Sequence, residues 1–191
     1  MLDNQEIRRK LRRYRNSISI TTKDYNAIKL SSIALTIDHI YTADNIGIFL
    51  SFDGEINTNI LISQLWLHKK NVFLPIIHNY ECKKLLFCKY DLHTVLVSNL
   101  FGILEPEINI KYMCTIDNLD IVFIPFVACN NIGYRLGMGK GFYDNTLKLW
   151  KKKKYIPIGL GYDFQLSSNF VTHKFDVPLF SVLTPTRYII F

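Results

Sequence analysis

Ile121-Val-Phe-Ile-Pro125-Phe-Val-Ala-Cys-Asn130-Asn-Ile-Gly-Tyr-Arg135-Leu-Gly-Met-Gly-Lys140-Gly-Phe-Tyr-Asp144 is the stretch on which the fold turns. It opens with an apolar run of strand length, Ile121 to Ala128, too short for a membrane helix. Four glycines follow within nine residues, at Gly133, Gly137, Gly139 and Gly141. Such spacing lets the backbone take positive φ and lets a ligand approach the amides. A helix is predicted from Phe142 to Trp150, and its positive end faces the same loop. Strand, glycine loop and helix in that order form an anion cradle, and Arg135 and Lys140 add two cations to it.

Working outward, strands alternate with helices. Residues 4–16 lack Gly and Pro and read as a basic amphipathic helix, with Ile7, Leu11 and Tyr14 on one stripe and Arg8, Arg12 and Arg15 on another face. An ordinary solvated basic face would read the same way. A second helix is predicted over residues 21–39, capped by Thr21 or Thr22. Strands are predicted at Ile46 to Leu50, Asn71 to Ile77, Leu85 to Tyr90, Ile121 to Pro125, Tyr155 to Gly161 and Arg187 to Phe191. A helix near Asn59 to Lys70 follows the turn Phe52-Asp53-Gly54, and residues 91–119 read as irregular. This pattern implies one α/β domain over residues 1–191: a three-layer, mostly parallel sheet with helices on both faces, doubly wound and Rossmann-like. Such sheets bind ligands beyond the carboxyl ends of their strands, where the glycine segment lies.

Composition narrows the function classes. Of 191 residues, 49% are hydrophobic and 20% charged, a globular balance that argues against disorder. The net charge of +7 suits a polyanionic partner without choosing among nucleotide, nucleic acid and other anions. The N-terminus lacks the apolar run of a secretory signal, so a cytoplasmic, membrane-free protein is expected. Cys82, Cys88, Cys114 and Cys129 lack C-x-x-C spacing and read as reduced thiols. The five histidines form no ligand pattern.

Spacing excludes two familiar phosphate loops. Gly139-Lys140 is followed by Gly141 rather than Ser or Thr, and Tyr134 stands where a Walker loop needs its first glycine. Gly137 and Gly139 fit a dinucleotide fingerprint, but Phe142 occupies its third glycine position. A loop that merely needs several positive-φ positions remains an alternative. Asp144 can be a first-turn helix acid, or a carboxylate for Mg²⁺ beside phosphate.

The run Gly-Tyr-Arg135-Leu-Gly-Met-Gly-Lys140-Gly-Phe-Tyr-Asp144, preceded by Pro125, resembles the signature of the 5-formyltetrahydrofolate cyclo-ligase family. Ile7 to Ser19 resembles that family's basic first helix, and Ile48 to Glu55 its strand, turn and glutamate. Asn71 to Pro75 and Lys174-Phe-Asp176 extend the likeness along the chain. The chain differs from the pattern at Phe126, where glycine is usual, at Cys129-Asn130, where Phe-Asp is usual, and at Asn4, where a basic residue is common.

The resemblance implies that ATP and 5-formyltetrahydrofolate react to give 5,10-methenyltetrahydrofolate, ADP and phosphate. It places Asn4, Gln5, Glu6, Ile7 and Arg8 at the ATP phosphates, with Arg135, Leu136, Gly137, Met138, Gly139, Lys140, Gly141, Phe142 and Tyr143 wrapped around them. Arg135 and Lys140 would compensate charge in the transition state. Met138 through Phe142 would also face the folate, Leu50 and Glu55 would bind its pterin, and Asp144 and Asp176 would hold Mg²⁺. The expected protein is a monomer acting on small molecules, not on nucleic acid. Two other readings are a basic nucleic-acid-binding module, recognisable by salt-dependent affinity, and a small-molecule kinase, recognisable by a stable phosphorylated product.

Overall fold

The computed structural model describes residues 3–79, 81, 83–166 and 170–191; Cys82 lies outside them. The chain runs α1 (Asn4–Ser17), α2 (Ile20–Ala34), α3 (Asp38–Thr42), β1 (Asn45–Gly47), α4 (Asn59–Leu67), β2 (Asn71–Asn79), β3 (Lys84–Lys89), β4 (Leu96–Ser98) and β5 (Leu104–Pro106). It continues with β6 (Met113–Cys114), β7 (Ile121–Pro125), β8 (Ala128–Cys129), β9 (Arg135–Leu136), α5 (Phe142–Leu147), β10 (Ile156–Leu160), β11 (Ser181–Leu183) and β12 (Tyr188–Ile190).

Eight strands form one sheet in the order β12-β11-β10-β7-β1-β2-β3-β6. The five central strands, β11 through β2 in that order, are parallel, and the outer pairings are antiparallel. The α/β expectation holds, with antiparallel edges. Along β7, Ile121 and Phe123 enter one core while Val122 and Ile124 enter the other. That alternation explains why β7 reads as an unbroken apolar run: both faces are covered. Helices α2, α3 and α4 supply Leu30, Ile40, Leu61 and Leu65 to the first core. The second face is covered by α5, through Leu147, and by loop residues such as Leu119 and Leu179.

Several boundaries differ from the pattern reading. The second helix is two, because the chain breaks between Ala34 and Asp38, and its cap is Ser19, whose hydroxyl accepts from the Thr22 amide. The predicted helix over Phe142 to Trp150 ends at Leu147, and a 3-10 turn follows at Trp150–Lys152. The segment read as irregular holds the hairpin β4–β5.

The direction of winding reverses between β1 and β7. From β1 the chain passes through α4 to β2 on one side, and from β7 through α5 to β10 on the other. The two segments leaving β1 and β7 therefore flank one crevice at the carboxyl edge of the sheet, where open parallel sheets hold their ligands.

Candidate active site

Helix α1 lies across that edge and ties the two segments together. Ile7 is buried with Ala128 and Leu136 of β8 and β9, which docks the helix on the glycine segment. Arg8 Nε donates to the Gly137 carbonyl at 2.8 Å. Further along, Arg12 Nε lies 2.6 Å from Asp53 Oδ2. Arg15 Nε donates to the Asp53 carbonyl and its Nη2 to Asp53 Oδ2, both at 2.9 Å. The Arg15 end of this face is thus turned inward, with Arg15 1% exposed, while the Arg12 side chain stays 42% exposed. Arg15 and Asp53 stand 38 residues apart in the chain, so a long-range charge pair helps to set the docking.

The turn after β1 is built for this contact. Asp53 and Gly54 both take positive φ, 52° and 74°. A Cβ on Gly54 would stand 2.7 Å from Asn16 Oδ1 and 3.1 Å from the Arg15 carbonyl, so only glycine lets the turn reach the end of α1. Burial pushes the Asp53 carboxyl up, but hydrogen bonds from Arg12 and Asn16 and the charges of Arg12 and Arg15 outweigh it and hold it below its ordinary value. Glu55 follows, 11% exposed, with Oε2 accepting from the Phe52 amide at 3.1 Å. Burial raises its carboxyl to about 7, against the opposing charge of Arg15. Leu50 is half-buried at the rim of the first core, beside the same turn.

The glycine loop is the opposite wall. Gly133, Gly139 and Gly141 have positive φ, whereas Gly137 does not. A Cβ on Gly139 would meet the Arg8 guanidinium at 3.8 Å. Gly141 caps α5, a helix of only six residues. Met138, Gly139 and Lys140 are exposed, and Lys140 Nζ lies 5.3 Å from the centre of the Phe101 ring, which meets Phe142 edge-on at 6.2 Å. Phe101 sits in the β4–β5 turn, and Glu105 of β5 is in electrostatic reach of Tyr143. This hairpin is a wall that pattern reading missed. Its signal was Asn99 three residues before Gly102, between two short apolar segments.

Arg135 is placed beneath the loop rather than on its open side. It is 6% exposed, its Nη1 donates to the Val177 carbonyl and its Nη2 to Asp144 Oδ1, both at 2.9 Å. Burial lowers its affinity for a proton, and Asp144, Tyr143 and Asp176 oppose that. Tyr143 is partly buried, and desolvation, followed by the charge of Glu55, drives its phenol well above the usual range. Leu136 is buried with Ile7. Asp144 Oδ1 also accepts from the Val177 amide, and Asp176 Oδ2 from the His173 amide. Each carboxylate keeps one oxygen without a hydrogen-bond partner among the described residues. Two such carboxylates around one arginine fit an ion that takes one or two carboxylates and fills its shell with water and phosphate. Among the described residues no group of three or more His, Cys, Asp or Glu gathers.

At the start of α1, Asp3 gives no side-chain cap, so the amides of Asn4, Gln5 and Glu6 have no cap acceptor. The Asn4 side chain instead exchanges two hydrogen bonds with the Val171 backbone, 2.8 and 2.9 Å. A groove of about 410 Å³ runs along the helix, lined by Arg8, Arg9, Arg12, Arg13 and Asp53 among others.

A family model described as the 5-formyltetrahydrofolate cyclo-ligase family matches residues 1–185. The chain belongs to that family. A 5-formyltetrahydrofolate cyclo-ligase of Haemophilus influenzae is 41% identical over 94% of this chain and 96% of its own length. The Escherichia coli K12 cyclo-ligase is 39% identical over 80% and 84%. In fold, the chain is similar to the 5,10-methenyltetrahydrofolate synthetase of Aquifex aeolicus, with a TM-score of 0.82 at 24% identity over 98% of this chain and 92% of that one.

The departures from the family pattern at Phe126 and at Cys129-Asn130 have a structural account. Phe126 is buried, and its ring lies over Gly159 and Gly161 of the neighbouring strand, where a Cβ would overlap it. Asn130 Oδ1 accepts from the amides of Ile132 and Tyr134, as an aspartate would. Cys129 is fully buried, and burial raises its thiol to about 12, so it is inert packing. No described helix is long and apolar enough to cross a membrane.

Proposed function

We propose that this enzyme uses ATP to cyclise 5-formyltetrahydrofolate to 5,10-methenyltetrahydrofolate, releasing ADP and phosphate. The observation that carries the reading is α1 itself: one helix clamps a glycine-rich anion loop at Gly137 and a buried glutamate turn at Asp53, across one crevice. The ATP phosphates lie against the backbone of residues 137–141 and the uncapped amides of Asn4 to Glu6, with Ile7 as the packing anchor of that end. Arg8 and Lys140 supply positive charge from the open side. Arg135 acts from below, holding Asp144 in place while its field crosses the loop. Asp144 and Asp176 would hold Mg²⁺, which would supply charge neutralisation at the phosphates.

On the other wall, Glu55 accepts hydrogen bonds from the amino group and ring N–H of the pterin, beside Leu50. Residues 138–142 face both substrates. The γ-phosphoryl group passes to the formyl oxygen, breaking the bond to ADP. The neighbouring folate nitrogen then attacks the formyl carbon and gives up its proton to the departing phosphate as the C–O bond breaks. The protein's work is positioning and charge compensation.

The basic face of α1 offers little to a nucleic-acid reading, because Arg12 and Arg15 are committed to Asp53. The test is to mix the enzyme with 5-formyltetrahydrofolate, ATP and Mg²⁺ and follow near-ultraviolet absorbance and ADP together. Equal rates of methenyl-folate and ADP formation are expected. ADP release with a stable phosphorylated product and no chromophore would instead make the protein a kinase.

A further inference from the structure

Arg15 does more than pair with Asp53. Two of its three nitrogens are spent on that residue, at 2.9 Å each. The third, Nη1, is buried and has no hydrogen-bond partner among the described residues. Leaving a buried guanidinium N–H unmet is costly, so such a group has capacity for one further acceptor. The acceptor in front of it is Glu55 Oε1, 4.0 Å away, about 1 Å beyond hydrogen-bond length. Glu55 is faced by Arg15 and Arg12 from α1, by Asp53 on its own turn, by Tyr143 from α5, and by Tyr162 after β10. Of the two cations, Arg12 is committed through Nε to Asp53 Oδ2. Among the described residues Arg15 Nη1 is the cation nitrogen that lies within 4.0 Å of Glu55, and the buried Tyr162 hydroxyl is a second donor without a hydrogen-bond partner.

The chemistry of the ligand explains what the Arg15 donor is for. A pterin presents an amino group and a ring N–H side by side, and both need an acceptor. An ionised carboxylate offers two acceptor oxygens, whereas a protonated one turns an O–H toward a donor. Burial favours the protonated form of Glu55, and a cation at hydrogen-bond distance favours the ionised one.

We propose that Arg15 is a positioning residue for folate recognition: its free Nη1 closes onto Glu55 Oε1 as the pterin seats, keeping that carboxylate charged and aimed. This rests on the reading of Glu55 as the pterin acceptor. The guanidinium fork is the part that matters. Nε and Nη2 set the turn through Asp53, and Nη1 sets the state of Glu55, three directed bonds that a lysine ammonium cannot reproduce from one atom.

The experiment measures kcat/KM for 5-formyltetrahydrofolate at saturating ATP across pH, with thermal unfolding as a control. It compares the wild type with Arg15→Met, Arg15→Lys, Glu55→Gln and the double variant Arg15→Lys/Glu55→Gln. Arg15→Met is expected to move the acid limb of the profile upward by about one pH unit or more. Its folate KM should rise about tenfold or more, with the KM for ATP within about twofold. Arg15→Lys should keep the limb near its wild-type position while still raising folate KM. Removing the Glu55 carboxylate should abolish the effect of Arg15→Lys, leaving less than about a threefold change, because coupled residues fail to add. Should Arg15→Met not fold, the lysine variant and the double variant carry the test.

An unmoved limb in folded Arg15→Met, or an Arg15→Lys effect of the same size with and without the Glu55 carboxylate, overturns the proposal. A folate KM unchanged by Glu55→Gln would overturn the pterin reading of Glu55 and the proposal with it.

Discussion

Asp53 is the residue whose removal should cost the apo protein most for the smallest change of shape. Asn at this position keeps the size and tolerates the observed φ of 52°. It withdraws one charge from beneath two arginines. Arg12 is 42% exposed on its side chain and can turn to water, but Arg15 is 1% exposed and cannot. Breaking a buried pair by removing one partner costs about 3–5 kcal/mol, and the amide oxygen that remains places Asp53→Asn near the lower end, about 3 kcal/mol. For a chain of this length that is a fall in Tm of about 6–12 °C.

The loss has a pH signature. The folded carboxyl lies below its unfolded value of about 3.9. Its contribution is therefore full above that pH and is lost as pH falls through the folded value. The gap between wild type and Asp53→Asn should be open at about pH 5 and close in stronger acid. The assay is denaturant unfolding over that range, with Asp117→Asn as comparison. Asp117 pairs with Lys153 at 2.7 Å, but with side chains 49% and 39% exposed, so its loss should cost under about 1 kcal/mol. Equal effects of the two substitutions would refute the idea that the clamp under the turn is buried and paired.

Glu55→Gln should stabilise the ligand-free enzyme above neutrality. The folded carboxyl lies near 7, above its unfolded value, so its contribution is full below about pH 4 and lost as pH rises through 7. Unfolding at pH 8 should show a gain on the order of 2–3 kcal/mol relative to the difference at pH 4, and no pH-dependent gain would contradict the burial of a neutral acid. Gly161→Ala should cost about 2 kcal/mol by overpacking against the Phe126 ring, and most of that should vanish in a Phe126→Ala background. Lys140→Ala, changed at an exposed side chain, should leave Tm within about 1 °C yet lower kcat by about 100-fold or more. A comparable loss of stability would mean that Lys140 holds the loop rather than serving the phosphates.

What pattern reading reaches here follows from how local each cause is. The β7 run and the glycine loop are legible because burial on both faces and positive φ leave their marks in adjacent residues. Strand β11 is three residues opening on Ser181, too short to show a period, and its neighbours β10 and β12 alone place it. The helical spacing of Arg8, Arg12 and Arg15 shows that they share a face. It cannot show that the Arg15 end of that face is turned inward, because the carboxylate that decides this stands 38 residues on from Arg15. Arg135 has the same history: its partners Val177 and Asp144 are set by tertiary packing, so a loop cation in the sequence becomes a strut in the fold.

Calorimetric titration of Glu55→Gln with each substrate tests the division of the site most directly. Folate affinity should fall about tenfold or more, as expected when one charged hydrogen-bond acceptor is replaced, while ATP affinity stays within about twofold. A fall in ATP affinity with folate binding intact would contradict the assignment of the two walls of the crevice.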